Sequence, residues 1–221
     1  MSGTVHLVGA GPGAADLLTL RAARLLGEAD IVFYDALVPD EILSSIRTSK
    51  KIPVGKRCGK HSTAQRFINK RLADAARRYR TVVRLKGGDP MLFGRADEEI
   101  RYLHNLGISG EIVPGITAAS AASAGLGVSL TRRGVSRSVT FATPRHGEGE
   151  SPSQWARAAA AADTAVLYMA AGDAEAVRKS LLEEGLHPDT PVAIVENASL
   201  PGQNVFPGKL AQLPQLASQR A

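Results

Sequence analysis

Short apolar runs that close on glycine, alternating with stretches of helical period, constrain this chain more than any other feature. Val5–Val8 runs into Gly9-Ala10-Gly11-Pro12-Gly13, and the β-branched run Thr81–Leu85 is followed by Gly87-Gly88-Asp89-Pro90. Ile31–Tyr34 closes on Asp35, Lys51–Val54 is a further short run, and Glu111–Val113 meets Pro114-Gly115. Each reads as a strand bounded by a turn. Between them the period changes. Thr19 can cap a helix that places Leu20, Ala23 and Leu26 on one face, and Pro39–Ile46 is a short helix. Ser62-Thr63-Ala64-Gln65 fits a capping box. Behind it Phe67, Ile68, Leu72, Ala75, Ala76 and Tyr79 form one face. Asp97–Leu106 is a fourth helix. Strands that alternate with helices imply an α/β fold with a mainly parallel sheet covered on both faces.

Pro114-Gly115 breaks the pattern and divides the chain into domains 1–114 and 115–221. In the second part, Thr117–Ala124 is a helix start of small residues, and Ser138–Ala142 and Ala165–Met169 are strands. Pro144–Ser153 is a loop rich in Gly, Pro, Glu and Ser. Ala174–Glu184 is helical with Gly185 just past its end, and Pro191–Val195 is a strand. The tail from Lys209 carries no strand signal, and no internal repeat is evident.

Composition removes several classes. At 221 residues with 44% hydrophobic side chains the chain can bury a core, and no run approaches the ~18 apolar residues of a membrane span. Met1-Ser2-Gly3-Thr4 leads into a strand without a basic region, which argues against a secretory signal. One cysteine, Cys58, excludes an intrachain disulfide framework and a cysteine-built zinc site. A reducing, cytoplasmic compartment is the expectation. Net charge is +6, all of it in residues 1–115, and 47–86 hold 14 basic residues against Asp74 alone. Such a block suits a polyanion, either nucleic acid or a polycarboxylate small molecule, or else it is a solvated basic face. Aromatic content of 5% weakens single-strand stacking.

Three loops carry chemistry. Gly9-Ala10-Gly11-Pro12-Gly13-Ala14 satisfies G-x-G-x-x-A, with Asp35 near the place of a ribose acid. Against a dinucleotide site, Pro12 removes an N–H and the helix starts only near Thr19. Leu85-Lys86-Gly87-Gly88-Asp89-Pro90 lets a ligand approach the backbone, and Asp89 can accept from a hydroxyl or ammonium. Val113-Pro114-Gly115-Ile116-Thr117-Ala118-Ala119 opens a helix whose first N–H groups have no partner within the helix. The five histidines show no metal spacing.

The order of these signals is more specific than any one of them. V-x-L-V-G-A-G-P-G-A, V-F-Y-D-A-L-V, V-G-K-R, H-S-x-x-Q, V-V-R-L-K-G-G-D-P, F-G-R, E-I-V-P-G-I-T-A-A, L-T-R-R-G, Y-M and P-V-A-I-V-E-N-A resemble the tetrapyrrole methylases over about residues 5–210. The resemblance implies two α/β domains, the N-terminal sheet mainly parallel and the C-terminal one mixed, with the active site in the cleft between them, and a homodimer. It implies methyl transfer from S-adenosylmethionine to C2 and C7 of uroporphyrinogen III. The product would be precorrin-2, a branch point to sirohaem, cobalamin and haem d1, with no role for nucleic acid or membrane. Carried over by motif, Pro12, Gly87, Gly88, Asp89, Leu92, Thr117, Ala118, Met169 and Ala198 would hold the cofactor, and S-adenosylhomocysteine would be its product form. Asp35 and Lys56 would be the acid/base pair, and Arg95, Glu98 and Arg133 would face the substrate. A substrate with eight carboxylates suits arginine anchors, and a carboxylate base suits loss of a proton after alkylation.

The chain departs from the family pattern at Asp97, Arg132 and Ala198, where a glycine, a histidine and a glycine are usual, and in lacking a final apolar strand. Alternatives are another precorrin methylase, a relative acting on RNA or protein, an NAD-binding oxidoreductase built on the first glycine loop, and a binding protein without turnover. Retention of Asp35, Lys56, Gly87-Gly88-Asp89 and Arg95 together argues against the last.

Overall fold

A computed structural model describes residues 2–54, 63–147 and 153–220. It divides into two compact units, Met1–Ala121 and Ala122–Ala221. The division falls inside the helix Ala118–Leu126, a few residues past the Pro114-Gly115 turn.

The first unit runs β1 (Thr4–Gly9), α1 (Leu20–Glu28), β2 (Ile31–Tyr34), α2 (Asp40–Ser45), β3 (Lys51–Pro53), α3 (Thr63–Ala76), β4 (Thr81–Lys86), α4 (Ala96–Asn105) and β5 (Gly110–Val113), and enters α5 (Ala118–Leu126). Its five strands pair in the order β3-β2-β4-β1-β5, every neighbour parallel. Val5, Leu7, Ile31, Phe33 and Val82 face one apolar layer with α3 and α4. Val8, Val32, Val83 and Leu85 face another with α1 and α2. Burial on both faces is what the continuous apolar runs foreshadow. From β1 the chain crosses to β2 over one face, and from β4 it crosses to β5 over the other. β1 and β4 are neighbours, so the crevice at their carboxyl ends is a topological switch point.

Two helix faces differ from the sequence reading. In α1 the buried residues are Ala22, Leu25 and Leu26, and Leu20 is 92% exposed. Thr19 does cap the helix, its hydroxyl accepting from Ala22 N–H at 3.1 Å. The true core stripe follows the i, i+3, i+4 spacing from Ala22, whereas steps of three from Leu20 drift around the helix. In α3 the buried residues are Ile68, Leu72, Ala73, Ala75 and Ala76. Phe67 lies outside that stripe, exposed, with the Arg71 guanidinium 5.3 Å from its ring and 5.8 Å from that of Phe33. Ser62 of the expected capping box lies outside the described residues.

The second unit holds β6 (Val139–Ala142), α6 (Trp155–Ala161), β7 (Thr164–Leu167), α7 (Ala174–Glu183), β8 (Pro191–Glu196), β9 (Asn204–Lys209) and α8 (Leu213–Ser218). β6 and β7 pair in parallel, and β8 and β9 pair antiparallel. Ala156, Ala159, Val177, Leu181 and Leu210 form its core. Gly185 follows α7 at φ +91, as its position past the helix end requires. The sequence reading lacks α6, β9 and α8. β9 carries Pro207 and Gly208, both unfavourable in strands, which hides its pattern. Among the described residues no helix is long and apolar enough to cross a membrane.

Candidate functional site

Three strand-end loops meet at the switch point. Gly11 and Gly88 form an isolated antiparallel bridge, with Gly88 N–H donating to Gly11 at 2.7 Å and Gly11 N–H returning to Gly88 at 3.2 Å. The turn after β1, which contains Pro12, is thereby stitched to the turn after β4. Asp89 ties in the third loop. Its Oδ1 accepts from Met91 N–H at 2.8 Å and its Oδ2 from Gly115 N–H at 2.9 Å. Both oxygens thus organise the loops, although each retains accepting capacity. The backbones approach so closely that only glycine fits. A Cβ on Gly115 would lie 2.3 Å from the Gly88 carbonyl oxygen, and one on Gly9 would lie 2.6 Å from the Gly115 Cα. Gly88 needs its glycine for φ +68, and a side chain there would project into open space. Thr117 N-caps α5, its carbonyl accepting from Ser120, so Ala118 is the first helical residue beside these loops. Pro12, Gly87, Gly88, Asp89, Thr117 and Ala118 are thus brought to one edge, and Leu92, half-buried, follows in the same loop as Asp89. No helix begins at the first glycine turn. A 3-10 turn at Ala15–Leu17 intervenes before α1, so the dinucleotide arrangement is not built there.

Beneath the loops lies a buried charge network. Arg84 and Lys86 alternate along β4 and therefore face the α3/α4 side. Glu99 of α4, fully buried, accepts from Arg84 Nε at 3.3 Å, from Lys86 Nζ at 3.3 Å and from Gln65 Nε2 at 3.0 Å. Arg84 Nη2 donates to Asp35 Oδ1 at 2.5 Å. Burial, and then the neighbouring Arg84 guanidinium, push the Lys86 ammonium below its ordinary value, while Glu99 and Asp35 pull the other way. Asp35 follows β2, its N–H bonded to Leu85, and the adjacent Leu37 packs where a Cβ on Gly87 would stand, at 2.9 Å. The acid and the second glycine loop are therefore neighbours. Arg84, Lys86 and Glu99 are absent from the sequence-predicted site. The available signal was two charges at alternate positions of a strand that otherwise reads as buried.

Of the remaining predicted residues, Arg95 and Glu98 belong to the first unit and Arg133, Met169 and Ala198 to the second. Arg95, at φ +56, stands just before α4 and grips Glu98 with two bonds, Nε at 2.6 Å and Nη2 at 2.7 Å. Those bonds hold the Glu98 carboxyl below its ordinary value. Arg133 is exposed in the turn closed by the Arg132–Ser136 bridge. Met169, at φ +57 and half exposed, follows β7. Ala198 lies between Asn197 at φ +51 and Ser199 at φ +70 but is not itself among the positive-φ residues, so alanine is admissible there. Lys56 lies outside the described residues.

The chain resembles known proteins in sequence and in fold. The family model for tetrapyrrole (corrin/porphyrin) methylases matches residues 4–214. The chain belongs to that family. A siroheme synthase of Zymomonas mobilis is 46% identical over 98% of this chain, which spans only 46% of that relative. A uroporphyrinogen-III C-methyltransferase of Pseudomonas aeruginosa is 46% identical over 96% of this chain and 86% of its own length. The structure of uroporphyrin-III C-methyltransferase from Thermus thermophilus, complexed with S-adenosylhomocysteine, superposes with a TM-score of 0.86 at 36% identity, covering 99% of this chain and 89% of that one. The chain therefore spans about half the length of the siroheme synthases it matches, and most of the length of the stand-alone methyltransferases.

Proposed function

We propose that this chain methylates uroporphyrinogen III at C2 and C7, using S-adenosylmethionine, to give precorrin-2. The observation that carries the reading is the glycine cradle at the switch point, in a chain whose relatives include methyltransferases named for this substrate. The cradle fits a flexible ligand with polar groups. It offers bare backbone at Gly88, where a Cβ would meet nothing within 4 Å, and the start of α5 at Thr117–Ala118. Bound there, the cofactor would supply an electrophilic sulfonium methyl for in-line attack by a pyrrole carbon. The protein's part is mainly to orient the two reactants. Asp89 holds the loops in register, Pro12 and Leu92 flank them, and Met169 and Ala198 are further candidate cofactor residues by motif. Arg95 and Arg133 anchor substrate carboxylates, with Glu98 steering the Arg95 fork. Asp35 accepts the proton lost after alkylation, and Lys56 is its donor or electrostatic partner. We extend the reading to a homodimer and, from the single cysteine, to a reducing compartment.

The test is to incubate the purified chain with uroporphyrinogen III and S-adenosylmethionine. Gain of two methyl groups by mass, with a red-fluorescent oxidised product, supports the reading. Methylation of a different precorrin in preference, or none, would overturn it.

A further inference from the structure

Glu99 occupies a position that helical spacing assigns to the core. It lies on the buried face of α4 with Ala96 and Leu103, where an apolar side chain would ordinarily pack. A carboxylate there is costly unless it is fully paired. It is paired four times over: Oε1 accepts from Arg84 Nε, Lys86 Nζ and Gln65 Nε2, and Oε2 from Lys86 Nζ at 3.3 Å. Arg84 in turn has each guanidinium nitrogen committed. Nε goes to Glu99, Nη1 to the Leu85 carbonyl at 3.1 Å and Nη2 to Asp35. The planar fork is thus held on two sides, and its third side presents one N–H to the acid. Side-chain exposure rises along this chain of contacts, from 0% at Glu99 and 3% at Arg84 to 23% at Asp35. Asp35 is where the network reaches solvent. Only its Oδ1 is engaged among the described residues, which leaves Oδ2 for a proton.

We infer that Glu99 is a positioning residue for the reaction: by fixing Arg84 it aims the Asp35 carboxylate. The inference rests on the reading of Asp35 as proton acceptor. Lys86 balances the charge. With Glu99 present, two cations and two carboxylates sum to zero, and without it the two neighbouring cations share Asp35 alone. A merely structural cluster would also tie α4 to β4, but it would not act through Asp35.

The experiment has a kinetic arm and a structural arm. Glu99→Gln is expected to lower kcat by up to about a hundredfold, the scale of a misplaced catalytic group, with KM for uroporphyrinogen III and affinity for S-adenosylhomocysteine nearly unchanged. Asp35→Asn with Glu99→Gln should be no slower than Asp35→Asn alone, because the second change has nothing left to position. Additive losses, or normal turnover in Glu99→Gln, overturn the proposal. If Glu99→Gln does not fold, the charge-balanced pair Glu99→Gln with Lys86→Met removes the same anchor and is judged by the same criteria. Should the unaltered chain fail to methylate, or Asp35→Asn keep full turnover, the parent reading falls on its own. A crystal structure of the variant then still decides: Arg84 Nη2 swung away from Asp35 supports the positioning role, and an unchanged Arg84–Asp35 contact refutes it.

Discussion

The carboxyl ends of β4 and β8 present the same local problem, a chain reversal with left-handed backbone, and the two units solve it differently. After β4, Gly88 takes φ +68, bridges to Gly11 and leads to Asp89, which holds Gly115. After β8, Asn197 and Ser199 take φ +51 and +70 without being glycine, and Ser199 N–H is held by the Gln203 side chain at 2.9 Å. Left-handed backbone costs an ordinary residue roughly 1–2 kcal/mol, so surrounding contacts must enforce it. The cores differ in the same sense. Of the largest fully buried side chains, all but Leu210 belong to the first unit. A five-stranded sheet covered on both faces can bury a carboxylate and two cations and still hold three backbones in van der Waals contact. Two separate strand pairs offer less burial, and the second unit secures its turns by side-chain bonds.

The largest expected effect breaks the comparison at its chemical end. Asp35→Asn should cut turnover by on the order of 10²–10⁴ while S-adenosylhomocysteine affinity holds. The melting temperature should fall, because the buried Arg84 loses a charged partner, but with the chain still folded at the assay temperature. Steady-state kinetics beside a melting curve checks this, and a variant that turns over normally would leave Asp35 as scaffolding. Next, Arg95→Ala and Arg133→Ala test the two proposed carboxylate anchors. Each should weaken substrate binding by about tenfold to a hundredfold, the worth of one charge-assisted bond, with cofactor affinity unchanged by calorimetry. An equal loss of cofactor affinity would move that arginine off the substrate side.

Glycine substitutions sharpen the comparison of backbones. A Cβ on Gly115 meets the Gly88 carbonyl oxygen at 2.3 Å, and one on Gly125 meets the Gln203 side-chain amide at 2.5 Å. The first obstacle is backbone and the second is the end of a flexible side chain. Gly115→Ala should destabilise by about 1–3 kcal/mol, the cost of overpacking, and Gly125→Ala by clearly less, as read by denaturant unfolding. Equal losses would contradict the tight stitching assigned to the first unit.

The smallest effect concerns Lys86. Its ammonium is depressed below the ordinary 10.5 in the folded chain. Between that lowered value and 10.5 the unfolded chain binds more protons, so this group makes stability rise with pH in that window. Stability of the unaltered chain relative to Lys86→Met should therefore increase as pH climbs toward 10.5. A flat or falling difference would show that Lys86 is not strained by burial.

What was legible in the sequence follows from the same contrast. The five strands of the first unit are short and mostly β-branched, and four of them close on glycine or proline and β2 on Asp35, so period and punctuation agree. In the second unit β9 interrupts its own pattern with Pro207 and Gly208, and α6 is an alanine run without a distinct apolar stripe. The glycine loops could be read because close backbone approach demands one residue type. The buried network could not, because charge ordinarily signals surface. Arg84 and Lys86 read as flanks of a motif, and Glu99 as one of three acids in the first turn of α4. Only the fold shows that Glu99, unlike Asp97 and Glu98, shares the helix face of Leu103.

On the proposed reading, the stitched glycine loops of the first unit hold the methyl donor. The most direct measurement is a crystal structure of this chain soaked with S-adenosylhomocysteine. The ligand is expected against Pro12, Gly87–Asp89 and Thr117–Ala118, at the carboxyl ends of β1, β4 and β5. Ligand lodged elsewhere, with these loops bare, would contradict it.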